Sequence, residues 1–195
     1  MKTSRPAKAE LILDAALRVL AADGYAGITI AKVAEEAKVS RGLLHYYFQN
    51  KEDMLIQLMN RSGREAWNMM GSLVAKAESP EQFADMATKA MRDFSRTQGA
   101  SLVLLVEVMA VARTNARIQQ AFAEIYRESQ REWTEQLLAR KEDGHMPLTL
   151  PEGGLATILK AFTYGMGLTL NTVPAVAKDE ETWVAFREVL LRAVS

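Results

Sequence analysis

Apolar residues recur along this chain at steps of three and four almost from end to end, and period-two alternation with β-branched runs is missing. That pattern predicts helices and no sheet. The first helix covers about Ala7 to Ala22 and carries Ile12, Ala16, Val19 and Leu20 on one side; Gly24, after Asp23, is its expected left-handed stop. Thr29 caps a short second helix in which Ile30, Val33, Ala34 and Ala37 fall at i, i+3, i+4 and i+7. Lys38-Val39 interrupts it after about two turns. Ser40 caps another short helix, with Leu44 inward and Phe48 in the core just beyond. Three short helices within the first 50 residues form a unit of their own.

From Lys51 the helices lengthen. A fourth is expected to run to about Lys76, with Leu55, Leu58, Met59, Ala66, Met69, Met70 and Leu73 as its apolar positions. Ser79-Pro80-Glu81-Gln82 is a strong helix start: Ser as cap, Pro in the first turn and Gln three residues on. The helix it opens carries Phe83, Ala87, Met91 and Phe94 and stops near Gly99. Another follows to Arg113, and Thr114-Asn115 opens a longer one with Ile118, Phe122, Ile125, Trp133 and Leu137 in register. Glu142–Pro151 reads as a loop, and two helices, about Glu152–Val173 and Asp179–Ala193, finish the chain. The expected fold is all-α with about nine helices: a three-helix N-terminal domain over residues 1–50 and a larger helical domain over 51–195.

Composition narrows the function by exclusion. Among 195 residues, 49% are hydrophobic and 25% charged, which is ordinary globular usage. There is no Cys, so disulfide scaffolds, zinc fingers, iron–sulfur centres and thiol catalysis are out. Glu10, Asp14 and Arg18 break up the opening stretch and argue against a secretory signal, and the uncharged run Ala161–Ala177 is short for a bilayer span. A soluble, cytoplasmic protein with no membrane partner is expected. For catalysis the raw material is two His and no recognisable nucleophile–base arrangement. Glu142-Asp143-Gly144-His145 has the Glu-x-x-His spacing of a di-iron bundle, but that site needs two copies on helices and here there is one, in a loop. No catalytic residue, metal ligand or cofactor is expected.

The candidate chemistry lies between Thr29 and Lys51. Two short helices joined by a tight turn are the outline of a helix-turn-helix. With Ser40 as cap, Arg41, Gly42 and Leu43 form the first turn of the second helix, where a recognition helix meets base edges. Gly42 is a poor helix former, at a cost of about 1 kcal/mol against Ala, yet it lets the backbone approach a phosphate or base closely. Arg41 can donate two hydrogen bonds to a guanine or grip a phosphate. His45, Tyr46 and Tyr47 place three polar-tipped rings in a row where a core segment would alternate with aliphatics. Each feature has a plainer reading: Ser40 as a cap only, Gly42 as a turn residue, Arg41 and Lys51 as solvated charges, Tyr47 as packing. Their joint order and spacing favour DNA.

The string from Thr29 through Glu52, TIAKVAEEAKVSRGLLHYYFQNKE, together with Ala15-Ala16-Leu17 and Gly24-Tyr25 ahead of it, closely resembles the DNA-binding signature of TetR-family transcriptional regulators over roughly residues 7–56. The resemblance implies that Thr29, Ser40, Arg41, Gly42, Leu43, Tyr46, Tyr47 and Lys51 touch DNA, mostly its backbone. His45 stands where that family commonly has Tyr and keeps a hydrogen-bonding ring. Lys38 stands where the family usually has Gly, so the turn is expected to hold a non-Gly residue in a strained conformation at a cost of about 1–2 kcal/mol.

One short recognition helix makes too few contacts for specific binding, so a homodimer reading a palindromic operator on double-stranded DNA is expected. On the last helix Trp183, Phe186, Leu190 and Val194 make one apolar line, with Val184 and Leu191 making a second, and the helix before it offers Ala161, Gly165 and Gly167 for close approach. The resemblance also places the family's dimer bundle here; the alternative is that both helices complete a monomeric core. The middle helices are expected to hold a pocket for a small-molecule inducer, with Trp67, Met70, Met91, Phe94, Met109, Phe122, Tyr126, Trp133 and Tyr164 as lining candidates and Glu107 as a polar anchor or a water-facing acid. The implied function is a ligand-responsive repressor released from DNA by its inducer. The alternative is a helical small-molecule-binding module without operator binding. The net charge of zero hides an asymmetry that fits the first reading: residues 1–51 hold eight Lys+Arg against five Asp+Glu, a net of +3, and the rest of the chain is −3.

Overall fold

The computed structural model describes residues 7–63, 71–97 and 99–195, and among them every regular element is helical. In chain order these are α1 (Ala7–Gly27), α2 (Ile30–Glu36), α3 (Arg41–Tyr47), α4 (Lys51–Leu58), a π-helical turn at Met59–Gly63, a helical stretch over 71–76 taken as α5, α6 (Pro80–Thr97), α7 (Gly99–Ala112), α8 (Ala116–Glu142), α9 (Glu152–Thr172), a 3-10 turn at Val176–Lys178 and α10 (Glu180–Val194). No helix among the described residues is long and apolar enough to cross a membrane.

The caps act as their chemistry requires. Thr29 Oγ1 accepts from the N–H of Lys32 at 3.2 Å, Ser40 Oγ from Leu43 at 3.2 Å and Asn50 Oδ1 from Asp53 at 2.9 Å, each satisfying an N–H that has no partner inside its own helix. Ser79 Oγ accepts from Gln82 at 3.2 Å, while the Gln82 amide turns back to the N–H of Glu78. Asp179 caps α10 through the N–H of Glu181.

Two expectations are corrected. Gly24 has positive φ but lies at φ 67°, ψ 177°, not in the left-handed helical region, so α1 kinks there and makes a further turn to Gly27 where a stop was expected. The fourth helix does not run on regularly to Lys76. It passes into the π-helical turn Met59–Gly63, where Arg61 reaches the Asp14 carboxylate at 2.7 Å and Glu10 at 3.4 Å. Lys38, at φ 55°, is the left-handed non-Gly residue expected in the turn between α2 and α3.

The chain packs as two compact units. The first comprises the described residues up to Gly63 together with Val103–Ile125; the second comprises those from 71 to Leu102 together with Tyr126–Ser195. In the first, α1 packs on α2 and α4, and α2 on α3, around Ile12, Leu13, Leu20, Val33, Leu44, Phe48 and Leu55. In the second, α10 and α9 pack on α6 around Phe83, Ala87, Met91, Trp133, Leu159, Trp183 and Phe186.

Candidate nucleic-acid interface

The α2–α3 pair presents its polar residues outward because its apolar ones are used up. Leu44 and Phe48 are sealed in the core of the first unit, and their spacing of four turns the opposite side of α3 to solvent. Arg41, Gly42, His45 and Tyr46 are exposed, Leu43 and Tyr47 partly so, and the Tyr46 ring is 80% exposed with its edge against Tyr47 at 5.0 Å and 85°. A ring left that open buries little apolar surface and so contributes little to the fold. Around Gly42 the nearest atom to an added side chain would be Ser40 Oγ, 3.9 Å away, so nothing inside the protein demands glycine there. Thr29 and Ser40 are exposed at the helix starts they cap, and Lys38 projects from the turn.

Lys51 is placed differently from the other candidates. Its ammonium lies 4.3 Å above the Tyr25 ring and 3.4 Å from the Tyr25 carbonyl, so it is half-buried on α1 rather than fully extended. Burial, and then the charge of Glu52, push the Tyr25 phenol above its ordinary value of 10.0. The next residue, Glu52, accepts from Asn115 Nδ2 at 2.6 Å, and Arg117 reaches Glu52 and Asp53 at 3.9 and 4.0 Å.

Residues 12–58 match the family model described as bacterial regulatory proteins, tetR family. That segment takes in α2, α3 and α4 with most of α1, the helices that carry the outward-facing polar residues. Over 126 residues the chain is 33% identical to the fatty acid metabolism regulator protein of Bacillus subtilis (strain 168), covering 64% of this chain and 63% of that one; the match thus spans just under two thirds of the relative's length. Among solved structures, Salmonella enterica GusR superposes with a TM-score of 0.79 at 18% identity, covering 100% and 99% of the two chains. The transcriptional regulator FadR from Bacillus subtilis, in complex with stearoyl-CoA, superposes with a TM-score of 0.69 at 23% identity, covering 95% and 97%. These likenesses show that the fold of those structures extends over nearly the whole of this chain.

The residues expected to line an inducer pocket separate into several roles. Glu107 is half-buried on α7, where its carboxylate accepts the Tyr25 N–H at 2.9 Å and closes over Gly24. Met109 is 48% exposed on α7 rather than lining a cavity. Met91 and Trp133 are buried in the core of the second unit, Phe122 is half-buried in the first, and Tyr126 and Tyr164 are half-buried in the second. Trp67 and Met70, with the side chain of Phe94, lie outside the described residues. A cleft of about 400 Å³ does open in the second unit, lined by Arg92, Asn171, Lys178 and Trp183 among others, and it contains none of the expected lining residues.

The dimer candidates divide by helix face. Trp183, Phe186, Leu190 and Val194 are not available to a partner: all are buried in the second unit, where α10 packs on α6 and Phe186 stacks on Phe162 at 5.0 Å. One apolar line on α10 was enough to bury the helix in its own chain. Of the second line, Val184 is 67% exposed while Leu191 is partly buried against the core, and on α9 Ile158 (61%), Ala161, Gly165 and Leu168 form an exposed stripe at steps of three and four.

Two features had little sequence signal. Lys160 is 1% exposed on α9, with its ammonium 3.2 Å from Ser129 Oγ, 3.3 Å from the Tyr126 carbonyl and 3.9 Å above the Tyr126 ring. Burial pulls its pKa down to about 8 against an attraction from Glu132. The other is the pairing of Glu107 with Tyr25, which lies across 82 positions of sequence.

Proposed function

We propose that this protein is a ligand-responsive transcriptional repressor that binds a palindromic DNA operator as a homodimer and is released from it by a small-molecule inducer. The observation that carries the reading is the outward face of α3: Arg41, His45 and Tyr46 exposed beside a glycine that folding does not require, on a helix anchored from behind by Leu44 and Phe48. Arg41 and Tyr46 are matched to phosphate oxygens or base edges, Gly42 admits the backbone of the duplex, and Thr29, Ser40, Leu43, His45, Tyr47 and Lys51 complete the contact surface. In functional terms residues 1–50 are the DNA-binding domain and 51–195 the ligand-binding and dimerisation domain. Two copies meet through the exposed stripe of Ile158, Ala161, Gly165, Leu168 and Val184, whose small residues permit close helix approach.

The inducer is an apolar or amphipathic small molecule bound in the second domain, a reading supported by the structural neighbour that holds stearoyl-CoA. Its binding favours a dimer whose two recognition helices no longer match the major-groove spacing. The protein works in the cytoplasm, where its operator is, and no catalytic step is part of its role; the relative it matches is itself named a regulator.

A mobility-shift titration on the DNA upstream of the protein's own gene tests the reading. A discrete complex whose log affinity falls linearly with log salt is expected, since phosphate contacts release counterions. Absence of any complex at low salt, with retained binding of small apolar molecules, would instead establish a ligand-binding module without an operator.

A further inference from the structure

Three residues on three helices of the first unit are linked in series. Glu107 on α7 accepts the N–H of Tyr25 through Oε2 at 2.9 Å, and its Oε1 closes over Gly24, where an added Cβ would lie 3.3 Å away. The Tyr25 N–H is turned toward α7 by the kink at Gly24 (φ 67°, ψ 177°), a conformation essentially reserved for glycine. Tyr25 in turn holds Lys51, the first residue of α4, by its carbonyl at 3.4 Å and by its ring at 4.3 Å. A lysine ammonium on a four-carbon stem gives up much rotamer freedom when it grips a phosphate, and resting it against a fixed ring and carbonyl removes part of that loss beforehand.

We propose that Glu107 is a positioning residue for DNA binding: it fixes the Gly24–Tyr25 corner, and through it sets where the Lys51 ammonium stands. Losing the carboxylate leaves the Tyr25 N–H without its acceptor and lets the corner relax, so the phosphate contact of Lys51 weakens although Glu107 itself touches no DNA. The proposal rests on Lys51 being a DNA contact, and the test separates the two.

The full chain is titrated on the operator fragment over about 50–200 mM salt, comparing wild type, Lys51→Ala, Glu107→Ala, the double variant and Glu107→Gln, with circular dichroism confirming that each is folded. Lys51→Ala is expected to lower the log–log salt slope by up to about 1.8, or 0.9 for each of two protomers. Glu107→Ala is expected to weaken operator binding about five- to tenfold and to lower the slope toward that of Lys51→Ala. The double variant should be no worse than Lys51→Ala, and Glu107→Gln, which keeps an acceptor oxygen, should restore the wild-type slope. If Glu107→Ala does not fold, Glu107→Asp keeps the charge but is one methylene short of the Tyr25 N–H and should show the same loss. Wild-type affinity and slope in Glu107→Ala or Glu107→Asp, or losses that multiply in the double variant, would overturn the proposal. An unchanged slope in Lys51→Ala would overturn the Lys51 assignment first, and the proposal with it.

Discussion

The ammonium of Lys160 lies 3.9 Å above the ring of Tyr126 while donating to that residue's carbonyl, in a side chain 1% exposed. A cation so enclosed is held against its own hydration, and the depressed pKa of about 8 records that cost. Below pH 8 both folded and unfolded chains carry the proton and the penalty is present in full. Between about 8 and the ordinary 10.5 the unfolded chain keeps the proton and the folded one releases it, so stability rises with pH. Relative to Lys160→Met, the wild type should gain about 2–3 kcal/mol over that window in a series of urea denaturations. Parallel pH profiles for the two proteins would show that Lys160 stays charged in the fold.

Gly24→Ala should destabilise the protein by about 2–3 kcal/mol. The φ of 67° with ψ 177° is strained for any residue with a Cβ, and the new methyl would also press on the Glu107 carboxylate at 3.3 Å. Thermal unfolding checks the magnitude. A change under about 0.5 kcal/mol would mean that the corner gives way without cost.

Lys38→Gly should act in the opposite direction. Lys38 is the described non-Gly residue with positive φ, and relief of its strain outweighs the extra freedom glycine brings to the unfolded chain by about 0.5–1 kcal/mol. The variant should unfold at higher denaturant concentration with an unchanged m-value.

Arg41→Ala should leave stability within about 0.5 kcal/mol of wild type, since the side chain is exposed and does no packing. On the operator it should cost about 1–3 kcal/mol in each half-site. Loss confined to one base position, tested with single-base operator variants, would assign Arg41 to base reading. Equal loss on all sequences with a shallower salt slope would assign it to a phosphate.

Trp183→Ala and Val184→Glu, adjacent on α10, should fail in different ways. Trp183 is in the core beneath Arg92, whose guanidinium sits 4.7 Å over its ring, so truncation should cost about 3–5 kcal/mol. Val184 is 67% exposed, and a charge there should leave the helix content intact while shifting sedimentation from dimer to monomer. A Val184→Glu protein that still sediments as a dimer would move the interface elsewhere.

What was legible in the chain was whatever depends on neighbours in sequence. Helical periodicity, the caps Thr29, Ser40 and Ser79 and the buried Leu44 and Phe48 are all decided within a few residues, because capping and amphipathicity are local, whereas the strained Lys38 was legible only through the resemblance. The outward face of α3 was legible for the same reason. What only the tertiary structure decided was which of two plausible surfaces each ambiguous residue met. Trp183, Phe186 and Leu190 form a stripe suited equally to a partner or to α6, and α6 takes it. Glu107 amid apolar residues could have faced a ligand or water; α7 carries it to the N–H of Tyr25 beside the Gly24 kink, 82 positions earlier in the chain. Periodicity specifies that a face must be covered, and folding alone specifies by what, since burial is a property of distance in space and not along the chain.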